Sequence, residues 1–269
     1  MIHPCVLTIA GSDSGGNAGI QADLRAFHAY GLHGCTVLTA LTAQNPAAVS
    51  AIHPVPPDFI AAQLACVLGT YAIGAIKTGM IATPEAIETV AAHLARVRAA
   101  KVVDPVMIAT SGAPLMSDAA RAAFVQALAP QATLLTPNLP EAEALAGLAR
   151  ASAESASDVR ARTLAHALFD RFGCAVLVKG GHGTGAMAED ILFDGTMFTA
   201  FPLPWVAHPV STHGTGCTLV AALAAELACG RALAAAVAGA KRYVHAAIRT
   251  SYRVGENCGV LGFAQPNNF

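Results

Sequence analysis

Charge is scarce in this chain. Acidic and basic side chains make up 12% of its 269 residues, against about 25% in an average soluble domain. The few present nearly cancel, 16 Lys and Arg against 17 Asp and Glu. No basic block stands out, so nucleic acid and anionic membrane surfaces are not expected partners. Aromatic residues are also few, at 6% with one Trp. No apolar run suits a bilayer span. The most hydrophobic, 219–240, is mostly alanine and is broken by Glu226 and Arg231, which predicts two buried helices instead.

No Cys-x-x-Cys occurs. The seven cysteines, at 5, 35, 66, 174, 217, 229 and 258, are odd in number and widely spaced. That pattern argues against a disulfide framework or a zinc site. The ten histidines lack His-Glu-x-x-His or similar ligand spacing. With no basic leader and no paired thiols, a reducing cytoplasm is the expected compartment. A Walker-type glycine loop is missing too, which rules out a P-loop enzyme. A dinucleotide-like match at Gly181–Ala186 leads into a hairpin pattern rather than a helix, so a dehydrogenase is set aside.

What the chain does have is alternation. Short β-rich runs at 5–11, 35–42, 72–80, 101–106, 132–136 and 174–181 are separated by helical patterns at 18–31, 57–69, 83–99, 117–129, 140–148 and 157–172. A hairpin is predicted over 189–201, around Asp194-Gly195, and two helices close the chain near 215–229 and 231–250. The stretch 149–158 reads as a surface loop. This order predicts an α/β fold, one domain over 1–269, with a mostly parallel sheet covered by helices on both faces. Ligands in such sheets gather beyond the C-terminal strand ends. Gly11–Gly19, Gln44, Lys77–Met80, Asp104–Met107, Asn138–Glu141, Lys179–His182 and Gly214–Cys217 all fall there.

The stretch 211–228, STHGTGCTLVAALAAELA, couples a glycine loop to a helix start. Gly214 and Gly216 let backbone amides converge, and the helix N-terminus adds partial positive charge. That arrangement suits a phosphate or a phosphoryl group in transfer. Cys217 falls in the first helical turn, where a thiol pKa is expected to drop. A small buried cysteine behind a structural loop would leave the same pattern. Asp104 in DPVM and Glu141 in NLPE end neighbouring strands, where carboxylates can hold Mg²⁺ directly or through water. Alone, the first is an ordinary turn residue and the second an ordinary first-turn helix residue. Together with Lys179 in VKGGH they form a charge-neutralising set for a nucleoside triphosphate.

The ordered motifs AGSDSGGNAGIQADL, TALTAQN, KTGM, DPVM, TPNLPEAEAL, VKGGH and THGTGCT, spread over residues 10–218, resemble the hydroxymethylpyrimidine/phosphomethylpyrimidine kinases of thiamin biosynthesis, in the ribokinase-like superfamily. The resemblance implies a three-layer αβα sandwich and an ATP- and Mg²⁺-dependent enzyme. Such enzymes phosphorylate 4-amino-5-hydroxymethyl-2-methylpyrimidine and then its monophosphate. It implies pyrimidine contacts at Gly11, Ala18, Asp23 and Gln44, with Met80 and Met107 as apolar walls. It puts ATP on Lys179, Asn138 and Thr215, and Mg²⁺ at Glu141 with Asp104. Gly214, Thr215 and Gly216 would cradle the transferred group, and Cys217 would stand where the superfamily's sugar kinases carry a catalytic aspartate. A homodimer is the usual state of such relatives, and no second enzyme module is expected.

Two departures stand out. PAAV at 46–49 replaces the family's Thr-x-Gly-Val turn after Gln44, and the apolar stretch 201–210 replaces a more basic one. Two alternatives stay open: a pyridoxal or pyridoxine kinase on the same fold, and a non-catalytic metabolite-binding relative. The glycine-rich segments 11–19 and 180–185 are expected to supply any lid.

Overall fold

The computed structural model describes residues 4–108, 112, 114–148, 157–181, 186–256 and 258–263. His182, the body of the dinucleotide-like match, most of the 180–185 segment and most of the 149–158 loop lie outside them.

Strand β1 (Cys5–Asp13) is buried along nearly its whole length, as the apolar run CVLTIAG requires of a central strand. It pairs in parallel with β2 (His33–Asn45) on one side and β4 (Ile73–Thr78) on the other. Parallel pairing continues through β5 (Ala100–Val103), β6 (Leu134–Leu135) and β7 (Ala175–Val178). Three antiparallel strands extend the edges. On one side lies β3 (Ala48–Pro54), and on the other the hairpin of β8 (Met187–Phe193) and β9 (Phe198–Pro204). The nine-stranded order is β3-β2-β1-β4-β5-β6-β7-β8-β9.

Two buried clusters sandwich this sheet. One joins Ile60 and Leu64 of α2 (Pro57–Thr70), Ile87 of α3 (Pro84–Leu94), Phe124 after α4 (Asp118–Ala123), Leu145 of α5 (Leu139–Ala146) and Leu164 of α6 (Ser157–Phe172). The other joins Phe27 of α1 (Gly19–Ala29), Leu223 of α7 (Thr215–Ala228) and Tyr243 of α8 (Leu233–Arg249). The expected three-layer αβα sandwich is thus present. The alanine-rich run separates into α7 and α8 as expected, and among the described residues no helix is long and apolar enough to cross a membrane.

Some elements differ from the sequence reading. The edge strand β3 is additional, as is the two-stranded ribbon of β10 (Tyr252–Gly255) and β11 (Cys258–Val260). Both are largely exposed, so neither imposes the alternating apolar pattern by which strands are read. The helix expected over 117–129 passes from α-helical to π-helical geometry at Phe124–Leu128 and ends in a 3₁₀ turn at Ala129–Gln131. What positions the site is the chain's reversal at β1, which puts β2 and β4 on opposite sides of it. In open α/β sheets the crevice beyond that switch point receives ligands.

Candidate active site

Four segments meet at this edge, and each is shaped by its local sequence. The first is the loop after β1. Asp13 is buried, and its carboxylate accepts hydrogen bonds from the amides of Gly15 (2.8 Å), Asn17 (3.0 Å) and Ala18 (2.8 Å). An aspartate followed by small residues folds the backbone over its own side chain. Burial opposes ionisation, yet the His213 imidazole, nearby at 3.9 Å but not hydrogen-bonded, and these amides hold the Asp13 carboxyl below the usual carboxylate range. The loop also reaches the end of β2. Ser14 Oγ donates to the Gln44 carbonyl at 2.9 Å and accepts from the Gln44 amide at 2.8 Å. The Gln44 side-chain oxygen accepts from Thr42 Oγ1 at 3.1 Å.

The second segment is the glycine loop before α7. Gly214 caps that helix with φ 84°, and a Cβ there would overlap the carbonyl of Asn17. Only glycine lets the two loops approach this closely. A Cβ on Gly216 would meet nothing within 4 Å, so the first turn faces open space where an anion could sit against the helix-start amides. Cys217 lies within electrostatic reach of Lys77, Asp23 and Asp104, and the nearby Gly19 amide favours its charged form. The expected drop in thiol pKa is overturned. Burial pushes Cys217 up, outweighing the Lys77 ammonium, so the free enzyme carries a neutral thiol at pH 7.

Third come the ends of β5, β6 and β7. Lys179 Nζ lies 2.6 Å from Asp104 Oδ1, which also accepts from Thr136 Oγ1 at 3.0 Å. Burial works against the Lys179 charge, but Asp104 and Glu141 hold its pKa above the ordinary value. Asn138 and Glu141 form a capping box on α5. Asn138 Oδ1 accepts from the Glu141 amide at 2.9 Å, and Glu141 Oε2 accepts from the Asn138 amide at 2.8 Å. Glu141 Oε1 accepts from the Met107 amide at 3.2 Å. Burial, reinforced by Asp104, pushes the Glu141 carboxyl up despite Lys179 and these amides.

The fourth group fills the floor. Lys77 Nζ bonds both oxygens of Asp23, at 2.8 and 2.9 Å, and Asp23 also accepts from Thr8 Oγ1 at 2.6 Å. Neither side chain of the pair is exposed. Burial resists charge on Lys77, but Asp23 outweighs it and raises the lysine's pKa. The distances are those of an ionised pair. Asp23 therefore points at Lys77 and Thr8. A Cβ on Gly11 would sit 3.4 Å from Met80 Sδ, which sets that methionine against β1. Met107 is half-buried beside Glu141.

A metal fits this donor set in one particular way. Among the described residues no three His, Cys, Asp or Glu side chains converge as a protein-only metal cage. Mg²⁺ is commonly held by one or two carboxylates plus substrate phosphates and waters. Asp104 and Glu141, beside Lys179, are carboxylates of the kind such a partial set requires.

The phosphomethylpyrimidine kinase family model matches residues 13–262. The chain belongs to that family. It is 46% identical over 252 residues to the hydroxymethylpyrimidine/phosphomethylpyrimidine kinase of Rhizobium meliloti, covering 92% of this chain and 91% of the relative. Against the thiamine biosynthesis bifunctional protein of Geobacter sulfurreducens it is 48% identical over 255 residues. There it covers 94% of this chain but 51% of that protein, so it spans about half the relative's length. An ADP complex of Bacillus subtilis pyridoxal kinase superposes with a TM-score of 0.89 at 33% identity, covering 100% of both chains.

Within this kinase family frame, the sequence reading gave Lys77, Asp13 and His213 no role. Lys77 on β4 and Asp23 on α1 lie 54 residues apart, and only the packing of α1 on β1, next to β4, brings them together. Asp13 was legible in principle, since Asp-Ser-Gly-Gly-Asn is a turn-forming run.

Proposed function

We propose that this chain transfers the γ-phosphoryl group of ATP to the hydroxymethyl oxygen of 4-amino-5-hydroxymethyl-2-methylpyrimidine, and then a second one to the resulting monophosphate, in thiamin biosynthesis. One observation carries the reading. Cys217, at an open helix start, lies within electrostatic reach of Asp104 and Lys179, and Gly214 of the same loop abuts Asn17 in the loop that Ser14 ties to Gln44.

The roles follow from the geometry. The Gln44 amide donates to and accepts from the pyrimidine edge. Gly11 and Ala18 allow close approach of the ring, and Met80 and Met107 wall it. Asp23 acts behind this layer, by holding Lys77. The backbone of Gly214, Thr215 and Gly216 stabilises charge on the moving phosphoryl group. Lys179 leaves Asp104 for the ATP phosphates, and Asn138 and Thr215 complete that subsite. Asp104 and Glu141 would hold Mg²⁺, which would supply charge neutralisation to the phosphates. As the hydroxymethyl oxygen forms its bond to phosphorus, the bond to the ADP oxygen breaks, and the alcohol proton passes to an oxygen of the transferred phosphoryl group. A loose transition state demands little deprotonation beforehand. A neutral thiol can thus act by hydrogen-bonding and orienting the alcohol, without itself taking up the proton. The chain acts as one domain, and as a homodimer, for which the exposed edge strand β3 with Ile52 offers surface.

The test is a product assay. The protein with ATP, Mg²⁺ and the pyrimidine should yield monophosphate and then diphosphate by anion-exchange chromatography. Arrest at the monophosphate would reject the second step. A kcat/KM for pyridoxal above that for the pyrimidine would overturn the substrate assignment.

A further inference from the structure

His213, immediately before the glycine loop, is 8% exposed, and neither ring nitrogen has a hydrogen-bond partner. A buried imidazole in that state forgoes the hydration of both nitrogens without replacing it. Its position names the missing partner. Nε2 lies 3.9 Å from Asp13 Oδ2, beyond the 2.7–3.2 Å range of a hydrogen bond. Asp13 is the carboxylate around which residues 15–18 fold, and Ser14 ties the same loop to Gln44. On the other side, the backbone of His213 is held by Ser211 Oγ at 3.2 Å, and Gly214 abuts the Asn17 carbonyl. The imidazole thus stands between the segment that bears the pyrimidine contacts and the segment that bears the phosphoryl cradle. A closing movement of about 1 Å would make the bond.

We propose that His213 is a positioning residue. By bonding Asp13 when the crevice closes, it latches the 13–18 loop to the 213–217 loop and couples pyrimidine binding to ATP binding. The proposal rests on the functional reading above. The latch explains why a histidine is buried with both nitrogens idle: the bond belongs to the doubly occupied state. It also requires the coupling to be reciprocal, since each ligand favours the same closed arrangement.

Calorimetry on the full chain tests this. Pyrimidine affinity is measured with and without a saturating non-hydrolysable ATP analogue and Mg²⁺, for the wild type, His213→Leu and His213→Gln. The analogue should tighten pyrimidine binding in the wild type by about 5- to 10-fold. His213→Leu should reduce that gain to below about twofold while leaving each separate affinity within about threefold. His213→Gln, which keeps a donor near the Nε2 position, should recover much of the gain. Should the leucine variant not fold, as judged by its melting transition, loss of coupling in His213→Phe, which keeps a planar ring without a donor, tests the same contact. Full coupling in either the leucine or the phenylalanine variant, or no coupling in the wild type, overturns the latch. A wild type that does not bind the pyrimidine at all overturns the functional reading itself, a distinct result.

Discussion

Two lysines at strand ends on the same edge of the sheet each hold an aspartate. Lys77 holds Asp23 at 2.8 Å, and Lys179 holds Asp104 at 2.6 Å. Chemically they match, but their surroundings differ. Both side chains of the first pair are 0% exposed, and Thr8 completes the aspartate's bonds. In the second pair, Lys179 retains 13% exposure, with Glu141 as another carboxylate close by. A sealed pair has nowhere to send its charge, so it serves as a fixture beneath Cys217. A pair open on one side can exchange its carboxylate for a phosphate. The contrast teaches that access, rather than the identity of the residues, separates a supporting lysine from one that handles ligand.

Breaking each pair in turn tests this. The largest effect is expected from Lys77→Met, which strands a buried carboxylate. It should cost about 3–5 kcal/mol of stability, read by urea unfolding, and adding Asp23→Leu should restore much of the loss. If the single variant unfolds like the wild type, the fixture role fails. Lys179→Met should do the reverse. Its stability cost should stay near 1–2 kcal/mol, whereas kcat/KM for ATP should fall by about 10²–10³-fold, the scale of losing one charge-stabilising donor. An unchanged kcat/KM would mean that the pairs do not differ in function. The smallest effect sharpens the electrostatics between them. Because burial raises the Cys217 thiol pKa, its alkylation by iodoacetamide at pH 7 should lag well behind that of exposed Cys66. The Cys217 rate should climb only at pH above the ordinary thiol range. Rapid labelling of Cys217 at neutral pH would refute the neutral thiol.

Much of the layer order was legible because burial imposes patterns. Continuous apolar runs such as Cys5–Ala10 announced central strands, and Thr83-Pro84 announced a helix start that the structure caps through the Thr83 side chain. Exposed elements impose no such pattern, and β3, β10 and β11 went unread. Within the site, residues carrying local signals were placed at the right edge of the sheet: Gly214, Asn138 with Glu141, and Lys179. Contacts made by tertiary adjacency were not legible, and Asp23 shows why. Its motif suggested a ligand contact, while its partner lies on a strand 54 residues away. The thiol misled for a similar reason. A helix start is visible in sequence, but the depth at which it is buried is not, and burial decided the sign of the shift.

The account depends on where a triphosphate lies, and a crystal structure of the chain with the pyrimidine and a non-hydrolysable ATP analogue measures that directly. The account predicts the terminal phosphate within about 3 Å of the amides at 214–217, Lys179 turned from Asp104 toward the phosphates, and the hydroxymethyl oxygen beside Cys217 Sγ. A triphosphate bound away from α7, or a Lys179–Asp104 pair intact with the sulfur remote from the alcohol, would contradict it.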